Sequence, residues 1–218
     1  MPCTPDRRLL FIHIPKTGGT SVEQALGLFG DWQLEDQTRL FGLVQSPQLL
    51  AHGWGSAFLQ HLSWSEIHQH WDFSQALCFA VVRNPWARFA SVYTNTDPHL
   101  LQTARARGLE LQGLSFEAFV DATEGLQHAH LRPQRDYLCT ATGAVAVPQL
   151  LRTETLSHDY AALAAAHGLP GPLPWHNRSA APRRLEQLYD RRTWQRIGER
   201  YAADVALLGY GAAAAPSW

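Results

Sequence analysis

Lysine is nearly missing from this chain. Of its 18 strongly basic side chains, Lys16 is the only lysine and all the others are arginine. A composition so committed to arginine gives that one ammonium group a claim to a specific task. Neither sign of charge dominates: 18 Lys and Arg stand against 19 Asp and Glu, for a formal net charge of −1. Such a balance excludes the global basic field that captures nucleic acid or an anionic membrane surface, and leaves only local basic pockets. Cysteine is scarce too. Cys3, Cys78 and Cys139 are widely spaced and odd in number, which is neither a zinc pattern nor a disulfide framework and suits a reducing compartment. No run approaches the ~20 apolar residues of a membrane span, and the first apolar run is too short for a secretory leader. The expectation is a cytoplasmic protein with no membrane span and no nucleic-acid partner.

What is present reads as globular. With 218 residues, 45% of them hydrophobic and 17% charged, the chain can form one α/β domain with a well-buried core, spanning 1–218. Leu9 to Ile14 is a nearly continuous apolar run, as expected of a strand buried on both faces. Thr20 or Ser21 can cap a following helix that carries Val22, Ala25, Leu26 and Phe29 on one side. "QLLAHGWG" reads as a second strand ending near His52, and "SWSEIHQHW" as a helix with Ser63 and Glu66 forming a capping box. The strongest strand signal is Ala76 to Arg83; it runs into Asn84-Pro85, and Pro85 suits the first turn of a helix through about Thr94. Residues 97–114 read as a loop. "SFEAFVDAT" reads as a helix, "AVAVPQLLR" as a strand, "TETLSHDYAALAAAHG" as a helix closed by Gly168, and the tail from Arg191 as one long amphipathic helix. The Pro-rich stretch between the last two is a surface loop.

Strands alternating with helices predict a three-layer α/β/α arrangement around a mainly parallel sheet. In such sheets ligands bind beyond the carboxyl ends of the strands, so the junctions at 15–20 and 83–91 belong to one edge. At the first, Gly18-Gly19 permits a tight turn and close approach of backbone N–H groups. Lys16 adds a mobile charge there, and Thr17, Thr20 and Ser21 add hydroxyls. Together they form an anion cradle for phosphate or sulfate. It is not a Walker A motif, whose glycines precede the lysine. At the second junction, "VVRNPWARFASVY" places Arg83 at the strand end and Ser91 about two helical turns later, a pair suited to clamping a second phosphate. Two anion sites on one edge predict a ligand with two separated anionic groups.

"HIPKTGGTS" followed by "RNPWARFASVY" resembles the PAPS-dependent carbohydrate sulfotransferases of the heparan- and chondroitin-modifying type and their bacterial relatives (PAPS is 3′-phosphoadenosine 5′-phosphosulfate). "HLRPQRDYL", "LLRTETLSHDY", "LPWHNRS" and "RYAADVALLGY" extend the likeness over most of the chain in the right order. The resemblance implies the P-loop-like nucleotide-binding fold of sulfotransferases. It also implies transfer of a sulfuryl group from PAPS to a hydroxyl of a carbohydrate or other small acceptor, leaving 3′-phosphoadenosine 5′-phosphate. It implies that Lys16, Thr17, Gly18, Gly19, Thr20 and Ser21 hold the 5′-phosphosulfate and that Arg83 and Ser91 hold the 3′-phosphate. Arg178 and Ser179 then reach the same phosphate from a flap, and Arg132 and Gln134 contact the acceptor or the cofactor.

In-line sulfuryl transfer asks for alignment and for stabilisation of charge on the leaving oxygen. Lys16 is the natural stabiliser, and no metal is required. His52, at the end of the expected second strand, is the candidate general base. Glu154, Asp97 and His99 are the alternatives, and His13 is expected to be buried in the first strand. Trp54, Trp64, Trp71 and Trp86 are read as core packing residues in preference to the lining of a sugar-sized groove. Two other functions stay open on the residues alone: a P-loop-like nucleotide kinase and a non-catalytic nucleotide-binding protein.

Overall fold

A computed structural model describes residues 2–174 and 185–211. In chain order the described elements begin with β1 (Leu9–Ile12), α1 (Gly19–Ala25), α2 (Pro47–Leu50), α3 (Trp64–His68) and β2 (Leu77–Val82). There follow α4 (Pro85–Thr94), α5 (Pro98–Arg105), α6 (Phe116–Ala122), α7 (Arg135–Leu138) and β3 (Gln149–Arg152). The last helices are α8 (Leu156–His167), α9 (Arg191–Arg200) and α10 (Ala202–Leu208). Two compact units result, one made of Met1–Val82 and Gln134–Asn177, the other of Arg83–Pro133 and Arg178–Trp218.

The first unit holds an all-parallel sheet in the order β1-β2-β3, with Leu9 paired to Leu77 and Phe79 paired to Gln149. This is the expected α/β class, with helices flanking a parallel sheet. The near-continuous apolar sequence of β1 and β2 follows from burial on both faces. Leu9, Phe11, Phe79, Val81 and Leu151 pack on one face against Val22 of α1 and Tyr160 and Leu163 of α8. Leu10, Ile12, Ala80 and Val82 are buried on the other. Each such side chain contributes about 1.5–3 kcal/mol relative to exposure, which fixes the register: Ile12 at the end of β1 pairs with Ala80, and Val82 and Arg152 end β2 and β3 as partners.

The second unit packs around Trp86, Phe89, Phe116, Phe119, Ile197 and Tyr201. Trp86 stacks on Trp194 with centroids 4.4 Å apart and donates its Nε1–H to the Trp194 carbonyl at 2.8 Å, so it is a core residue.

Several elements differ from expectation. The stretch around Leu49 is the single helical turn α2, with Pro47 at its first position, so the strand expected to deliver His52 is absent. Residues 98–105 are helical, not a loop, because Asp97 caps α5 and Pro98 opens it. The tail is two helices, broken at Tyr201 (φ −111°, ψ 28°). The Tyr201 ring is buried and its hydroxyl donates to the Leu131 carbonyl at 2.9 Å; that anchoring outweighs helical continuity. α1 is capped by Gly18 in the left-handed conformation rather than by Thr20 or Ser21. It also ends before Phe29, which is half exposed. The expected capping box of α3 is present, with Glu66 N donating to Ser63 Oγ at 3.3 Å and Ser63 N to Glu66 Oε2 at 2.6 Å. Pro85–Thr94 and the Gly168 cap of α8 also lie where the sequence places them.

Candidate functional site

β1 stops at Ile12, and the chain reverses through His13 to Gly18 before α1 begins. Two residues of that reversal hold positive φ: Lys16 at 69° and Gly18 at 92°. Gly18 tolerates this freely, but Lys16 does so at a cost, and backbone strain of this kind concentrates where a side chain must be aimed. The space around the glycines is also specified. A Cβ on Gly18 would meet Leu156 Cδ2 at 3.3 Å, and one on Gly19 would meet the His13 ring at 2.3–2.4 Å. Gly19 is therefore glycine because the His13 imidazole occupies the place of its side chain.

Thr17 is fully buried, and its hydroxyl donates to the Ile14 carbonyl at 2.8 Å. Its one proton is spent on closing the turn, so it can serve a ligand only through its backbone. Thr20 and Ser21 lie half-buried in the first turn of α1.

A residue that the sequence reading missed ties the turn to the sheet. Thr153 follows β3 directly, and its Oγ1 lies 2.6 Å from the Thr17 carbonyl and 3.1 Å from the Val82 carbonyl. One hydroxyl thus braces the Lys16 turn against the end of β2, the residue before Arg83. Its only sequence signal was its place immediately after a strand of a parallel sheet.

A buried acid–base pair lies under the same turn. His13 Nδ1 is 2.5 Å from Glu23 Oε1, and both residues are buried.

At the second junction Asn84 caps α4, its Oδ1 accepting from Trp86 N at 3.0 Å and Ala87 N at 3.1 Å. That fixes the exit of β2 at Arg83, which is half-buried, as is Ser91 within α4. Arg88 between them is buried and donates to the carbonyls of Arg132 (2.9 Å) and His130 (3.3 Å), so it holds the chain rather than facing a ligand. Arg132 is half-buried. Gln134 is fully buried and immediately precedes α7, and Tyr137 is packed inside.

His52 lies in an exposed turn after α2. Its ring is 4.0 Å from that of His70 and stacks on Trp54 at 5.3 Å, and Trp71 adjoins Trp54 at 5.9 Å. Burial first, and then His52 beside it, lower the His70 pKa below the usual imidazole value. Among the alternative bases, Asp97 is the cap of α5, accepting from His99 N at 2.9 Å; His99 is half-buried and Glu154 is exposed in the turn after β3. Arg178 and Ser179 lie outside the described residues. Among the described residues no group of three or more His, Cys, Asp or Glu side chains is arranged to hold a metal ion, and no helix is long and apolar enough to cross a membrane.

Against known proteins, the model of the sulfotransferase family matches residues 2–211. No curated protein and no solved structure matches the chain.

Proposed function

The chain belongs to the sulfotransferase family, a family of sulfuryl transferases, and from that premise we propose that its donor is PAPS and its acceptor a hydroxyl of a carbohydrate or other small molecule. The observation that carries this reading is the turn from Lys16 to Gly19, where the chain's one lysine adopts a left-handed backbone beside two glycines at the end of a parallel strand.

In this scheme Lys16, Gly18, Gly19, Thr20 and Ser21, with the backbone of Thr17, hold the 5′-phosphosulfate. Arg83 and Ser91 hold the 3′-phosphate, joined by Arg178 and Ser179. Arg132 serves the acceptor; Gln134, called with it from the sequence, is fully buried and can do so only through its backbone. PAPS supplies an activated sulfuryl group on a phosphate leaving group; the chain's work is to align the reactants and to neutralise charge. The Lys16 ammonium stabilises the negative charge that builds on the leaving oxygen. His52 takes the acceptor's proton, an imidazole being suited to that role near neutral pH. The scheme calls for no metal. The three buried thiols, none in a disulfide, support a reducing compartment such as the cytoplasm, and the whole chain acts as one catalytic domain.

Transfer of labelled sulfuryl groups from PAPS to a panel of hydroxyl acceptors, with EDTA present, tests the reading. Turnover is expected, and Lys16→Met should lower kcat by about 10²–10³ while the fold is retained. Phosphoryl transfer from ATP–Mg²⁺, or PAPS binding with no turnover on any acceptor, would contradict it in favour of a kinase or a non-catalytic binder.

A further inference from the structure

The His13–Glu23 pair takes no part in the scheme above, yet it touches the turn on which the scheme depends. Glu23 is 2% exposed and His13 7%. A carboxylate so deeply buried is costly unless it is paired, and its partner is the imidazole 2.5 Å away. With the carboxylate as acceptor, Nδ1 donates its proton to Oε1 and Nε2 is left as the second ring nitrogen. Among the described residues Nε2 has no hydrogen-bond partner. Its position is fixed by the packing: the ring stacks on Phe11 with centroids 5.6 Å apart and meets the edge of His61 at 4.9 Å. Nε2 itself lies 2.4 Å from where a Gly19 Cβ would be. The second ring nitrogen of a histidine that is 7% exposed thus lies against the glycine of the Lys16 turn.

Electrostatics gives this placement a consequence. A buried anionic carboxylate close behind a site for a phosphosulfate would oppose binding through the low-dielectric interior. A proton on each imidazole nitrogen removes the conflict: Nδ1–H faces Glu23 and Nε2–H faces the incoming anion. We propose that His13, oriented by Glu23, is a second cationic ligand of the donor's 5′-anion, acting with Lys16 and charged when the donor is bound. This rests on the PAPS reading of the turn. The titratable groups in contact with His13 are Glu23 from α1 and His61 from the short turn Leu59–His61, whose Nδ1 lies 3.4 Å from the His13 carbonyl, and Lys16 follows three residues on in the same turn. Donor binding is therefore coupled to proton uptake, and affinity falls as pH rises.

Titration calorimetry of the whole chain with 3′,5′-adenosine bisphosphate tests this. At about pH 8 the ligand phosphates are fully ionised, so any proton uptake belongs to the chain. It appears as a dependence of the measured heat on the buffer's ionisation enthalpy. Uptake is expected in the wild type. His13→Gln should bind roughly 10- to 100-fold more weakly at about pH 6 and show no uptake. Equal affinity of wild type and His13→Gln would overturn the inference while leaving the donor assignment standing. So would a loss by the same factor at every pH with uptake retained, which marks a structural role. Should His13→Gln not fold, absence of uptake in the wild type overturns the inference alone. A wild type that does not bind the bisphosphate overturns both.

Discussion

One hydroxyl serves two carbonyls at Thr153 and so joins the Lys16 turn to the end of β2. Replacing it with the isosteric Thr153→Val removes the donor and leaves two acceptors in a packed environment. The expected cost is about 1–3 kcal/mol of stability, read as a lower urea midpoint, with weaker binding of an anionic donor. Thr153→Ser keeps the hydroxyl and should restore both. Equal stability of Thr153→Val and wild type would show that the brace holds nothing. The buried thiols make a contrast: burial pushes Cys3 up to about 11 and Cys78 up to about 12. Neither offers a thiolate near neutral pH.

Helix caps separate residues that build elements from residues that act. Asp97 was a candidate base on sequence grounds, and its carboxylate in fact closes the first turn of α5. Asp97→Asn retains a cap of equal quality, so stability and turnover should both survive, whereas Asp97→Ala should cost about 1 kcal/mol of stability. A collapse of kcat in Asp97→Asn would mark Asp97 as a base as well as a cap. The same elements show what a sequence can disclose. The α3 capping box, Pro85 at the head of α4 and Gly168 at the end of α8 were legible because each signal lies within the few residues it controls. The Asp97-Pro98 pair carried an equally local signal for α5, and a reading of 97–114 as loop passed over it. The break at Tyr201 was not legible, because its cause is a hydrogen bond to Leu131, far away in the chain. The site divides likewise. The Lys16 turn is written in consecutive residues, and its brace comes from Thr153, 136 residues from Thr17. The purpose of Gly19 emerges only once the His13 ring is seen to fill its side-chain space. His52 was placed on a strand because "QLLA" is apolar, a run too short to distinguish a strand from a helical turn.

For the molecule as a whole, one histidine ties stability to pH. Burial holds the pKa of His128 at about 4, far below the usual 6.5; Asp97 opposes this shift and His99 adds to it. Its Nδ1 accepts from the His130 backbone N–H at 3.1 Å, as a neutral ring can. Between about pH 4 and 6.5 the unfolded chain binds a proton there that the folded chain does not. Stability therefore falls as pH drops through that window, by up to about 3 kcal/mol in total. His128→Asn, which keeps an acceptor near the Nδ1 position, should flatten that part of a stability–pH curve; an unchanged slope would place its origin elsewhere.

At the same scale stands the central claim, that this sulfotransferase holds a nucleotide with two separate anionic groups. Calorimetry in the absence of metal, comparing 3′,5′-adenosine bisphosphate with 5′-AMP and, separately, with ATP–Mg²⁺, tests it most directly. Loss of the 3′-phosphate should weaken binding by about 1.5–3 kcal/mol for each charge-assisted bond it makes to Arg83 and its neighbours, so the bisphosphate should bind far more tightly than either competitor. Equal binding of all three, or a preference for ATP–Mg²⁺, would contradict the account.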